Sequence, residues 1–134
     1  VSSMEEGLLP LNQHAMFVYH DVAYHDWEGV ALNLDERERL IADIGDKSLM
    51  ILRNHGTLAV GGSIASCFMR LYFLERSCDI QVKAMAGKLN MPNQEAIKMM
   101  KETFGNPQSW EGIGATSWPA MRRLADRLDP SYNN

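Results

Sequence analysis

This sequence predicts an α/β layered domain, and three observations carry the prediction. "SLMILRN" at 48–54 is a continuous apolar run too short for an independent helix, so it reads as a buried strand, and "TLAVGG" at 57–62 follows as a second one. From Ser63 to about Ala86, apolar residues recur at helical spacing. "LDERERLIADIG" at 34–45 has the pattern of a short amphipathic helix between strands.

Each element has its own signals. Residues 1–16 read as a loop or short helix, broken by Gly7 and Pro10. "FVYHDVAYHD" at 17–26 is rich in aromatic and β-branched types and predicts one or two strands. In the 34–45 segment, Asp35 with Glu38 three residues later matches a capping box. Leu40, Ile41 and Ile44 supply its apolar stripe and Gly45 its stop. Asn54, His55 and Gly56 connect the two apolar strands.

The long helix takes Ser63 as its N-cap and ends before Gly87. Ile64, Cys67, Phe68, Leu71, Leu74, Cys78, Val82 and Met85 predict its buried face. A further helix spans about 93–104, and 106–115 reads as turns. Ser117 caps a last helix that Pro130 ends. The expectation is a single domain over 1–134, with about four helices and a small sheet of four short strands that could be half of a larger one.

Composition narrows the function classes. The 134 residues are 46% hydrophobic and 22% charged, with a net charge of −4. That balance argues against a nucleic-acid partner, which needs a basic face to displace counterions. No apolar run approaches membrane-spanning length, so a soluble, cytoplasmic protein is expected. Cys67 and Cys78 lie eleven positions apart on the long helix, roughly 16 Å along its axis. They cannot bridge each other and read as core thiols of a reducing compartment.

Among residues that could carry chemistry, His55 stands out. A rigid strand connection aims its imidazole, as metal ligands and general bases require, yet a lone turn histidine is usually just a turn residue. A catalytic zinc needs about three protein ligands, and the sequence holds no H-x-H, H-E-x-x-H or C-x-x-C. His20 and His25, in the doubled "YHD", would face opposite ways on one unbroken strand. "VGG" at 60–62 could seat an anion on the next helix but reads better as a helix-entry turn. "RRLADR" at 122–127 reads as a solvated face, and Trp110 and Trp118 as cover for this subunit or a neighbour.

Taken together, "GLLPLNQHAM", "VAYHDWEGVAL", "ILRNHGTLAVGGSIASCFMRLYFLERSCDIQVKAMA" and "SWPAMRRLADRLDPSYNN" resemble the class II aldolase/adducin family, in particular its bacterial adducin-like members and the adducin head domain. The resemblance implies a three-layer α/β/α fold, homo-oligomers with sites near subunit interfaces, and a zinc or similar divalent ion held by three histidines. The histidine of the N-H-G turn falls on His55. The ion would act as a Lewis acid in aldol cleavage of a small hydroxylated carbonyl substrate. The family's H-x-H, catalytic acid and phosphate-binding residues precede the segment matched here, so the chain reads as a partial domain without the N-terminal half and is expected to be inactive alone. Tyr132 aligns loosely with a C-terminal tyrosine that reaches a neighbouring site. The other reading is a non-catalytic, adducin-like self-association module.

Overall fold

The computed structural model describes residues 1–30 and 34–133; residues 31–33, within the quoted "VAYHDWEGVAL", and Asn134 lie outside the described residues. The fold is a partial three-layer α/β/α domain whose sheet has three strands in the order β1-β2-β3. β1 (Val22–His25) runs parallel to β2 (Leu49–Leu52), which pairs antiparallel with β3 (Gly56–Ala59). A fourth strand is not found among the described residues. Leu49, Met50 and Ile51 are all buried, as a central strand covered on both faces requires. Leu49 and Ile51 join Leu8, Val18, Leu74 and Trp110 in the main core, while Met50 lies on the other face.

Half of the segment expected as strand is helical. α1 (Gln13–Val18) starts where the Asn12 side chain accepts the Ala15 N–H at 3.1 Å, and a 3-10 turn (Tyr19–Asp21) follows. Packing overrides the β preference: Val18 is buried, and Phe17 meets Phe73 and Phe104 edge to face. α2 (Glu36–Ile44) forms over the predicted span and ends at Gly45, but Ile41 of its expected apolar stripe is exposed and the Asp35 side chain makes no capping bond.

α3 (Ile64–Ala84) starts at Ser63 in a reciprocal capping arrangement with Ser66. Its buried face is the predicted one only in part: Leu74 is buried and Cys67, Leu71 and Cys78 are half-buried. Ser66, Arg70, Leu74, Ser77 and Gln81 point inward, while Ile64 is 77% exposed and Phe68, Val82 and Met85 are also exposed. Small residues win at the crossing with α5, because a side chain on Gly114 would place its Cβ 2.7 Å from the Ser66 nitrogen. Backbones that close leave no room for large apolar groups. Of the polar groups buried instead, Ser77 Oγ donates to Phe73 O at 2.6 Å, and Gln81 bridges Gly7 O and Leu9 N–H at 2.7 Å each.

α4 (Gln94–Phe104) matches its expected span. The stretch expected as turns is instead the first half of α5 (Pro107–Leu128), so the helices number five among the described residues. Asn106 caps it by accepting the Gln108 N–H at 3.0 Å, and Pro107 takes the first helical position. The unfavourable glycines are offset by burial of Trp110 and by the close α3 contact at Gly114. Trp110 therefore covers its own subunit's core.

Candidate functional site

His55 ends the three-residue connection between β2 and β3, and several independent contacts fix that turn. Its N–H donates to Leu52 O at 3.1 Å, and Asn54 takes a positive φ of 56°, which asparagine tolerates better than most residues. Arg53 N–H extends the parallel ladder to His25 O at 2.8 Å, and Asn54 N–H donates to Ser2 O at 3.0 Å. The Arg53 guanidinium donates to Met4 O at 2.6 Å and lies 4.4 Å from the centre of the Tyr24 ring.

The N-terminal segment is itself held. Tyr24 Oη accepts the Leu8 N–H at 2.9 Å, and burial raises the Tyr24 pKa. Gly7 is required there: its φ is +68°, and a Cβ would come within 2.6 Å of Tyr24 Oη. The result is an exposed imidazole on an immobilised turn, next to a cleft of about 560 Å3 lined by Ser2, Met4, Asp26, Trp27, Arg53 and Asn54.

The other histidines do not join it. His14 stacks obliquely on Phe73 from α1, with ring centres 5.5 Å apart. His20 sits in the 3-10 turn and His25 closes β1, so the opposite-face argument for one unbroken strand does not apply. His25 is 4% exposed, and its Nδ1 lies 2.7 Å from Asp43 Oδ2 on α2, with Glu36 3.5 Å from Nε2. The Asp43 bond raises its pKa, burial opposes this, and Glu36 adds to the rise. Among the described residues no three His, Cys, Asp or Glu side chains gather to hold a metal. His55 is the right type of ligand in an accessible place, but the described residues do not complete a divalent-ion site.

Two features escaped the sequence reading. The His25–Asp43 pair spans eighteen positions, and only the doubled "YHD" hinted at it. The glycine turn before α3 does receive an anion, but an internal one. Ser63 Oγ donates to the Glu111 carboxylate of α5 at 2.8 Å, and bonds from Ser66 and Ser63 hold the Glu111 pKa below its ordinary value. The cysteines are free, and burial pushes the Cys78 thiol up to about 11, an inert core position. Arg122, Arg123 and Asp126 are exposed, as the pattern predicts.

Comparison with known proteins agrees with the fold. A Caulobacter vibrioides protein named "Putative aldolase class 2 protein" is 46% identical over 135 residues, covering 98% of this chain and 52% of that protein. Mouse alpha-adducin is 33% identical over 142 residues, covering 96% of this chain and 19% of its own length. A crystal structure of an aldolase II superfamily protein from Pseudomonas syringae superposes with a TM-score of 0.87 at 41% identity, over 99% of this chain and 54% of that one. L-fuculose 1-phosphate aldolase from Glaciozyma antarctica shares the fold, with a TM-score of 0.76 at 24% identity, over 94% of this chain and 48% of that one. The chain spans about half the length of its bacterial relatives. Residues 1–82 match the family described as "Class II Aldolase and Adducin N-terminal domain", and the chain belongs to the class II aldolase and adducin family.

Proposed function

We propose that the protein containing this chain is a cytoplasmic, divalent-metal-dependent lyase, and that it cleaves a small hydroxylated carbonyl compound by aldol chemistry. His55 supplies one metal ligand. The observation that carries the reading is the exposed imidazole on a turn tied to β1 and to the N-terminal segment, in a chain of this family. A bound divalent ion supplies Lewis acidity for a substrate carbonyl oxygen. This chain's part is to hold the imidazole direction, through the Asn54–Ser2 and Arg53–Met4 bonds. The remaining ligands and the acid–base group are not provided by the described residues, and the chain by itself is proposed to be inactive.

The test is elemental analysis of the full protein and of its His55→Ala variant. Zinc near one equivalent in the parent and near zero in the variant, with unchanged melting, supports the reading. Equal metal in both overturns it.

A second reading, self-association of the adducin kind, is favoured by one observation. Phe68, Trp118, Met121, Leu124, Leu128 and Tyr132 line an apolar groove of about 410 Å3 on the outer side of α3 and α5. Homo-oligomerisation through that face is compatible with either reading.

A further inference from the structure

A cleft of about 810 Å3 lies at the other end of β2 from His55. Arg70 and Trp110, 3% and 2% exposed, are the buried residues of its lining. The 3-10 turn before β1, the Asp46–Lys47 turn before β2 and the end of α4 supply most of the rest. Its size is that of a small-molecule site.

Arg70 is only partly satisfied within the chain. A buried guanidinium is normally paired, because an uncompensated buried charge is costly. Here Nε is buried with no hydrogen-bond partner, Nη1 reaches Val60 O only at 3.4 Å, and the Trp110 ring centre is 5.7 Å from Cζ. The nearby acids are committed elsewhere. Asp21 accepts the Ser48 N–H at 3.0 Å, Asp46 pairs with Lys47 at 3.3 Å, and Glu102 faces Lys98 at 3.8 Å. Glu111 accepts from Ser63 at 2.8 Å and feels the Arg70 charge, which helps lower its pKa, without pairing with the guanidinium. Arg70 and Lys101 form no ion pair with any described residue.

One further feature favours negative charge. α5 starts at the rim with Pro107, so the positive end of a 22-residue helix dipole lies beside the cleft.

We propose that this cleft binds a phosphate-class oxyanion, with Arg70 as the buried anchor and Lys101 as the second cation. A planar guanidinium fork matches phosphate oxygens, and the ammonium adds a point charge. The volume beyond one phosphate, with Trp110 and Phe104 in the lining, suits the organic part of a phosphate monoester. His55 is not in the lining of this cleft.

Calorimetric titration of the protein with inorganic phosphate and with glycerol phosphate, against sodium chloride of equal ionic strength, tests the site. Saturable binding of either phosphate ligand, absent with chloride, is expected. Tighter binding of the ester assigns a role to the organic part, and equal binding assigns recognition to the phosphate alone. Lys101→Glu, an exposed change, and Arg70→Met should each weaken binding at least about tenfold. If Arg70→Met fails to fold by circular dichroism, Lys101→Glu decides alone. Absence of binding up to about 10 mM, or unaltered affinity in Lys101→Glu, overturns the proposal.

Discussion

The imidazole of His25, at the end of β1, is bonded to the carboxylate of Asp43 on α2 across 2.7 Å. This bond joins α2 to the sheet at the same end as the His55 turn, because Arg53 N–H donates to His25 O. It also makes stability depend on pH. The folded His25 pKa is raised above 6.5, so the protonated form contributes stability that is fully present below 6.5 and lost as pH rises through the folded value. Thermal melts across that window should show the midpoint falling with rising pH, and Asp43→Asn should flatten the fall. An Asp43→Asn profile parallel to the parent's would disprove the assignment.

Glu111 predicts the opposite slope at acid pH. Its folded pKa lies below the ordinary 4.5, so its contribution is present above 4.5 and disappears as pH falls through the folded value. Glu111→Gln should lose part of the acid-side dependence in melts between neutrality and about pH 3. The signature to look for is convergence of the two proteins at the acid end.

Gln81 is fully buried and holds both Gly7 O and Leu9 N–H. Gln81→Leu keeps similar volume but strands those two backbone groups, costing about 2 kcal/mol or more. Because the N-terminal segment also holds Asn54 through Ser2, loosening should reach the His55 turn. Hydrogen exchange should accelerate at the Leu9 and Asn54 amides, whereas acceleration at Leu9 alone would mean the two ends of the segment are uncoupled.

Gly114→Ala sets two effects against each other. Alanine gains about 1 kcal/mol of helix propensity. Its Cβ would sit 2.7 Å from Ser66 N and 2.9 Å from Ala65 C, both backbone atoms that cannot swing aside. Overpacking of this kind costs about 1–3 kcal/mol, so net destabilisation is expected in urea unfolding. A more stable variant would show that α3 and α5 can separate freely.

Leu128 is 77% exposed at the apolar groove of α3 and α5. Leu128→Glu should leave monomer stability within about 0.5 kcal/mol and weaken self-association in sedimentation velocity. Unchanged association would place any contact between copies on another face.

Much of the fold was legible in residues that act locally. The buried strand around Met50, a tight connection at Asn54 and His55, the Ser63 cap and the α4 span all depend on patterns within a few positions. The errors came where distant parts decide. Phe17 and Val18 favour strand by type, yet the aromatic cluster with Phe73 and Phe104 keeps them helical. Asn106 to Ala115 looked like turns because of its glycines, until one of them proved to be the seat of a helix crossing. For the candidate site, the sequence exposed His55 and nothing that would show its surroundings.

By itself, then, the sequence determined the family, the layered α/β class and the turn that presents His55, since motif and hydrophobic period are local properties of the chain. Only the tertiary structure decided which face of α3 is buried, that Asp43 meets His25, and that Arg70 stands unpaired in a cleft. Those outcomes depend on how closely backbones approach and on which charges meet across many residues. Close approach at Gly114 selected Ser66 over Ile64 and Phe68 for the interior, because backbone separation, not apolar content, sets what a helix interface can hold.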